Sequence, residues 1–205
     1  MTFNLLIQKP YIFPFEKHID TITSYYNLDD SIRNHWINVF HEAENKTFDE
    51  YCSTNAGEYY QYAQSYPLIN SIYYYHFCIT NIINRNKHEK PQIIQTELFS
   101  QNVNYNPDAT DHSSKNIIFI CNFNSDKYNK IVIDGNHSLN TSILKHKKCV
   151  KYILADIRFD DFAFTTDALM YYLHEGCYNP QVGEQFRNNY DFAYNYFDNV
   201  KSLFL

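Results

Sequence analysis

Residues 131–140 read IVIDGNHSLN. Three β-branched aliphatics, Ile131, Val132 and Ile133, run into Asp134, Gly135, Asn136 and His137, and Ser138 then begins SLNTSILKHKK, which has the look of a short helix. A strand that ends in Asp-Gly and turns into a helix presents its turn at a carboxyl edge of a sheet, where many open α/β folds bind ligands. Gly135 permits a positive φ or a close backbone approach. The free N–H groups at the start of such a helix favour an anion, phosphate above all. His137 is suited to donating to that anion or to moving a proton near neutral pH. Asp134 has three open roles: metal ligand, orienter of His137, or acceptor for amides within the turn.

The residues on either side of this turn continue the same period. QIIQTELF, IIFICNF, KIVIDG and CVKYILADI are short and rich in Ile, Val, Phe and Tyr, as strands are. The polar NSDKYNK between the second and third suits a hairpin, and the 138–148 helix joins the third to the fourth. This order places a small α/β unit at residues 91–158.

Residues 1–90 read as helical. Asp29, Asp30 and Ser31 are cap candidates ahead of IRNHWINVFHEAENK, where Ile32, Trp36, Val39 and Phe40 recur at helical spacing. A second helix is expected near Thr47, in TFDEYC. A third opens at Pro67 and runs through PLINSIYYYHFCITNIINRNK, apolar on most faces and therefore central. Residues 159–205 return to helix. FTTDALMYYLHEG starts at a Thr165 or Thr166 cap and stops at Gly176, and the tail repeats aromatics at Phe186, Tyr190, Phe192, Tyr194 and Phe197. The expected fold is a mixed α+β domain over 1–205, with a sheet-and-helix core flanked by N-terminal and C-terminal helices.

Composition narrows the function. With 44% apolar and 20% charged residues, the chain can build a real core. Its net charge of −6 disfavours sequence-independent DNA binding, which needs a basic surface. The one compact basic run, Lys145, His146, Lys147 and Lys148, suits a helix C-terminal dipole. The five cysteines are widely spaced with no CxxC pair, so zinc ribbons and thioredoxin-like sites are not expected. With no signal-peptide pattern and no bilayer-spanning apolar run, a reducing cytoplasmic location is expected, without a membrane partner.

The stretch IIFICNFNSDKYNKIVIDGNHSLNTSILKHKKCVKYILADI resembles the ParB/sulfiredoxin-like superfamily, over about residues 91–158. Ile133, Asp134, Gly135, Asn136 and His137 match the family's I-D-G-x-H turn between strand and helix. CVKYILADI matches its following strand, and QIIQTELF with NYNP its upstream part. The resemblance implies nucleotide binding at the turn, with ATP or CTP and Mg²⁺ as cofactor. Family members repair an over-oxidised cysteine with ATP, hydrolyse CTP, or phosphorylate free serine, and others are described as nucleases. On this pattern Gly135, His137 and the amides after it meet phosphates, and Asp134 positions the turn. The family's Arg after the His is Ser138 here. One hydroxyl replaces a fork of donors, which weakens triphosphate binding unless Lys130, Lys145 or another base substitutes. No Cys stands in the turn, which argues against sulfiredoxin chemistry.

Asp134, Gly135 and His137 read either as a ligand site or as a tight structural turn, and Ser138 as a helix N-cap hydroxyl. An enzyme needs a carboxylate near the turn. Glu97 is the first candidate, ahead of Asp108, Asp111 and Asp156. His35 and His41 are not at metal-pair spacing, HEAE lacks the second His of a zinc helix, and His76 suits a core position with a hydrogen-bond partner. The leading expectation is a nucleotide- or phosphate-binding protein, with phosphotransfer or NTP hydrolysis at His137 and Asp134. Gly135, Asn136, Ser138, Lys130 and Lys145 are the expected binding residues. The alternative is a non-catalytic interaction or regulatory module, mobile-element or defence-related, meeting a protein partner through its aromatic helices.

Overall fold

The computed structural model describes residues 13–44, 59–100, 103–108, 117–122 and 130–202. The first elements among the described residues are two packed helices, α1 (Phe15–Tyr26) and α2 (Asp30–Glu44). Asn27 in the left-handed region (φ 55°) reverses the backbone between them. Asp29 caps α2, its Oδ1 accepting from the N–H groups of Ser31 (2.9 Å) and Ile32 (3.1 Å). Bonding to Ser31 and Ile32 holds its carboxyl below the ordinary carboxylate range. The helix expected near Thr47 lies outside the described residues.

Residues 67–87 do not form the single helix that their sequence suggests. Pro67–Ile69 make one short 3₁₀ turn inside a hairpin of β1 (Tyr59–Tyr66) and β2 (Ser71–Cys78), and only α3 (Ile79–Asn86) is helical. Asn70, left-handed at φ 52°, completes the turn. The reason is a two-residue period: Tyr73, Tyr75 and Phe77 are all buried, while Ile72 between them and the turn is exposed. Aromatic residues at that period satisfy a strand better than a helix.

A five-stranded sheet follows, in the order β3-β7-β5-β6-β4. Its strands are β3 (Gln92–Gln95), β4 (Val103–Asn104), β5 (Ile117–Asn122), β6 (Lys130–Asp134) and β7 (Cys149–Ala155). The TELF residues expected to extend β3 instead coil into a 3₁₀ turn, Thr96–Ser100. β5 is parallel to β7 and antiparallel to β6. The helix after β6, α4, spans Asn136–Leu144, beginning two residues before the expected Ser138. The tail holds α5 (Thr165–Tyr178), α6 (Pro180–Asn188), α7 (Tyr190–Tyr194) and α8 (Tyr196–Ser202). Gly176 does not stop α5. A Cβ there would stand 2.8 Å from Tyr196 Oη and 3.1 Å from Phe186 Cζ, so the missing side chain lets the tail pack against the helix.

The sheet is a middle layer, so its strands read as continuous apolar runs rather than alternating ones. On one face Ile118, Ile120, Val132 and Val150 pack against Leu139 of α4, Phe99 and Val103. On the other, Cys121, Ile131, Ile133 and Ile153 join a larger core with Trp36, Phe40, Tyr75, Phe162 and Phe197. Each such aromatic or aliphatic side chain contributes about 1.5–3 kcal/mol by leaving water. Trp36 also donates its indole N–H to the Ala193 carbonyl at 2.9 Å, fixing α2 against the tail. Phe186 and Phe197 belong to this core, so the aromatic repeat of the tail is largely an inward face. The result is a mixed α+β fold. No helix among the described residues is long and apolar enough to cross a membrane.

Candidate functional site

β6 delivers Asp134 to one edge of the sheet, and Gly135 makes the turn at φ 89°. Two constraints select glycine there. The left-handed backbone disfavours a side chain, and a Cβ would stand 2.7 Å from Ile118 Cγ2 and 3.0 Å from the Ile118 Cα. The Gly135 carbonyl accepts the first helical bond, from Leu139 N–H at 2.9 Å. Gly135 is thus the N-cap position of α4. Ser138 is buried at the third helical position and does not cap the helix as expected.

Asp134 Oδ1 accepts the Gly135 N–H at 2.7 Å, so this carboxylate braces the turn itself. Asn136 works in two directions. Its amide donates to the Val132 carbonyl (3.1 Å), and its Oδ1 accepts from Asn106 N–H (2.9 Å). That clasp ties the 103–108 segment to the turn. His137 is exposed on the first turn of α4.

The two lysines expected to replace the missing Arg do not sit at the turn. Lys130 begins β6 at the opposite edge, about 13 Å from Asp134 at strand rise. Lys145 follows the last residue of α4, roughly 13 Å from Asn136 at helical rise. Asp108 is exposed, with its N–H bonded to Asn106 Oδ1 (3.0 Å). Asp111 lies outside the described residues. Asp156 follows β7 at the edge opposite the turn.

Glu97 has another neighbourhood. It lines a cavity of about 540 Å³ with Gln95, Thr96, Tyr105, Ile143, His146, Lys147, Lys148 and Cys149, and none of residues 134–138 is among the lining. Local geometry explains how the basic run arrives there. α4 ends in a reversal with His146 left-handed at φ 54°, closed by bonds from His146 N–H to Ile143 O and from Lys147 N–H to Ser142 O, both 2.9 Å. Thr96 then docks on the run, its Oγ1 donating to Lys147 O (2.6 Å) and its N–H to Lys148 O (3.0 Å). The lining carries two ammonium groups against one carboxylate, with Tyr105 and Ile143 as an apolar wall. In a chain of net charge −6 this lining is locally basic, a field that favours an anion. The lysines assigned to the helix dipole therefore face a cavity, and its size falls in the usual ligand range of roughly 300–1,000 Å³.

The other singled-out histidines are structural. His35 stacks on Tyr194 at 4.2 Å, His41 bonds Glu16 at 3.1 Å, and His76 is buried against Asp167. Among the described residues, no group of three or more His, Cys, Asp or Glu is arranged to hold a metal ion. No family model, curated protein or solved structure matches the chain. The functional reading therefore rests on the chemistry of this chain's own residues.

Proposed function

We propose that the protein binds a phosphate-bearing small molecule, a nucleotide foremost, at the sheet edge shared by the IDGNH turn and the basic cavity. The observation that carries this reading is the convergence of His146, Lys147 and Lys148 with Glu97 and Tyr105 around about 540 Å³. Lysine ammonium groups hold phosphate oxygens as point charges, supplying what the missing Arg does not. Glu97, the carboxylate of the lining, is the residue to share a Mg²⁺ with a nucleotide's own oxygens. Phosphotransfer or NTP hydrolysis would take His137 as the proton carrier, held in place by the turn that Asp134 and Asn136 brace.

A second reading, a non-catalytic interaction module, draws on two aromatic residues that the core leaves out. Tyr25 is 70% exposed and Tyr190 50% exposed on the outer faces of their helices.

Melting of the wild type with ATP, ADP, CTP and GTP, each with and without Mg²⁺, decides between them. A ligand at one hundred times its Kd stabilises the native state by about 2.7 kcal/mol, or roughly 5–10 °C in a chain of this size. Nucleotide binding predicts such a rise and its loss in Lys147→Glu/Lys148→Glu. A further loss in His137→Ala would extend the site to the turn. No rise with any nucleotide would sink the nucleotide reading and leave the interaction module.

A further inference from the structure

At the opposite edge of the sheet, the carboxyl ends of the parallel pair β5 and β7 meet α5. A cavity of about 380 Å³ opens there, lined by Asn122, Leu154, Asp156, Tyr171, Tyr172 and Glu175 among others. The carboxyl ends of parallel strands are where open α/β sheets most often take a ligand. Its polar lining holds two carboxylates, an Asn amide and two tyrosines, and no Lys, Arg or His. Asn122 Oδ1 is wholly buried and accepts no hydrogen bond, a state that a native fold seldom leaves unexplained.

The field matches the lining. Burial, and after it the carboxylates of Asp156, Asp161, Glu175 and Asp160, push the Tyr172 phenol up. Arg85 and Lys130 lie nearby without entering the lining. Arg85 is paired with Asp161 through both terminal nitrogens and reaches only the backbone oxygen of Asp156 (2.8 Å). Lys130 sits in register beside Asn122 on the neighbouring strand. The rest of the lining is apolar or aromatic: Leu154, Ala155, Ile157, Tyr171 and Tyr172. Aromatic faces and carboxylates together favour a cation with several donors and a hydrocarbon stem. A bare metal ion fits less well, since the described residues assemble no three-ligand group.

We propose that this second cavity binds a small aliphatic amine or guanidine, its cationic head on Asp156 and Glu175 and its methylene stem along the tyrosines. The assignment is independent of the phosphate site, which lies at the other end of the strands.

Calorimetric titration of the full chain with agmatine and with putrescine tests it, the two probes separating a guanidinium from an ammonium head. Saturable binding of at least one probe is expected. Glu175→Gln should weaken it about tenfold or more, a loss of about 1.4 kcal/mol. Glu184→Gln, which removes the same charge from the exposed face of α6, should leave it unchanged. If Glu175→Gln fails to fold, Asp156→Asn at the exposed rim gives the same reading. The proposal is overturned if neither probe binds the folded wild type at millimolar concentration, or if Glu184→Gln weakens binding as much as the cavity variants do.

Discussion

His76 Nδ1 lies 3.0 Å from Asp167 Oδ2, with both side chains buried. The same carboxylate accepts the His76 backbone N–H (2.9 Å) and the Tyr73 hydroxyl (2.6 Å). Gln61 Nε2 stands 3.0 Å from the other ring nitrogen, an arrangement that suits Nδ1 as donor to Asp167 and Nε2 as acceptor from Gln61. One carboxylate thereby fastens the β1–β2 hairpin to the first turn of α5, across 91 residues of chain.

Removing that carboxylate takes the acceptor from both His76 N–H groups and leaves the Tyr73 hydroxyl with Thr166 alone. Asp167→Ala is expected to lose about 3–5 kcal/mol, and Tyr73→Phe, which deletes one donor cleanly, about 0.5–1.5 kcal/mol. Urea unfolding of both variants measures this. A loss below about 1 kcal/mol in Asp167→Ala would mean that the hairpin is held by its apolar face alone.

The turn at Gly135 makes a second demand. Gly135→Ala combines a left-handed backbone with an Ile118 contact that includes main chain. The expected destabilisation is about 2–4 kcal/mol, from strain and overpacking together. Denaturant midpoints read it directly, and a near-neutral variant would show that β5 and the turn can separate.

Acid should unfold the protein through two buried histidines. Burial lowers His18 to about 4, and burial together with the nearby His18 lowers His174 to about 3, both from 6.5. The folded state therefore resists protons that the unfolded chain accepts. Stability is full above pH 6.5 and falls as pH drops toward 4, by up to about 1.4 kcal/mol per pH unit for each histidine. Unfolding free energies at pH 7, 6 and 5 should show this slope, and His174→Gln should flatten it. An equal slope in that variant would place the acid sensitivity elsewhere.

Gly176→Ala tests the packing of the tail. In an open helix this change stabilises by roughly 0.5–1 kcal/mol. Here the new methyl meets Tyr196, whose hydroxyl donates to the Tyr172 carbonyl at 2.7 Å. A net loss of about 1–2 kcal/mol is expected. A gain in melting temperature would show that Tyr196 moves aside freely.

The central strands were legible because Ile117–Cys121 and Ile131–Ile133 are dense in β-branched residues, and because Asp-Gly marks where one of them ends. The hairpin was not. Pro67 imitates a helix start, the partner strand YYQYAQSY hides behind glutamines, and the apolar excess of SIYYYHFC masks its two-residue period. The basic run was seen, but its place beside a cavity was not. Thr96 docks on Lys147 and Lys148 beside that cavity, a contact spanning 51 residues that no local pattern encodes. The second cavity was less visible still, since Asn122, Asp156 and Glu175 come from three separate segments.

The outer strands of the sheet carry a final consequence. β4 contributes two residues and β3 four, so each rim offers a visiting chain only a few backbone groups on which to template itself. Long flat rims invite polymerisation into fibres, and short ones end it.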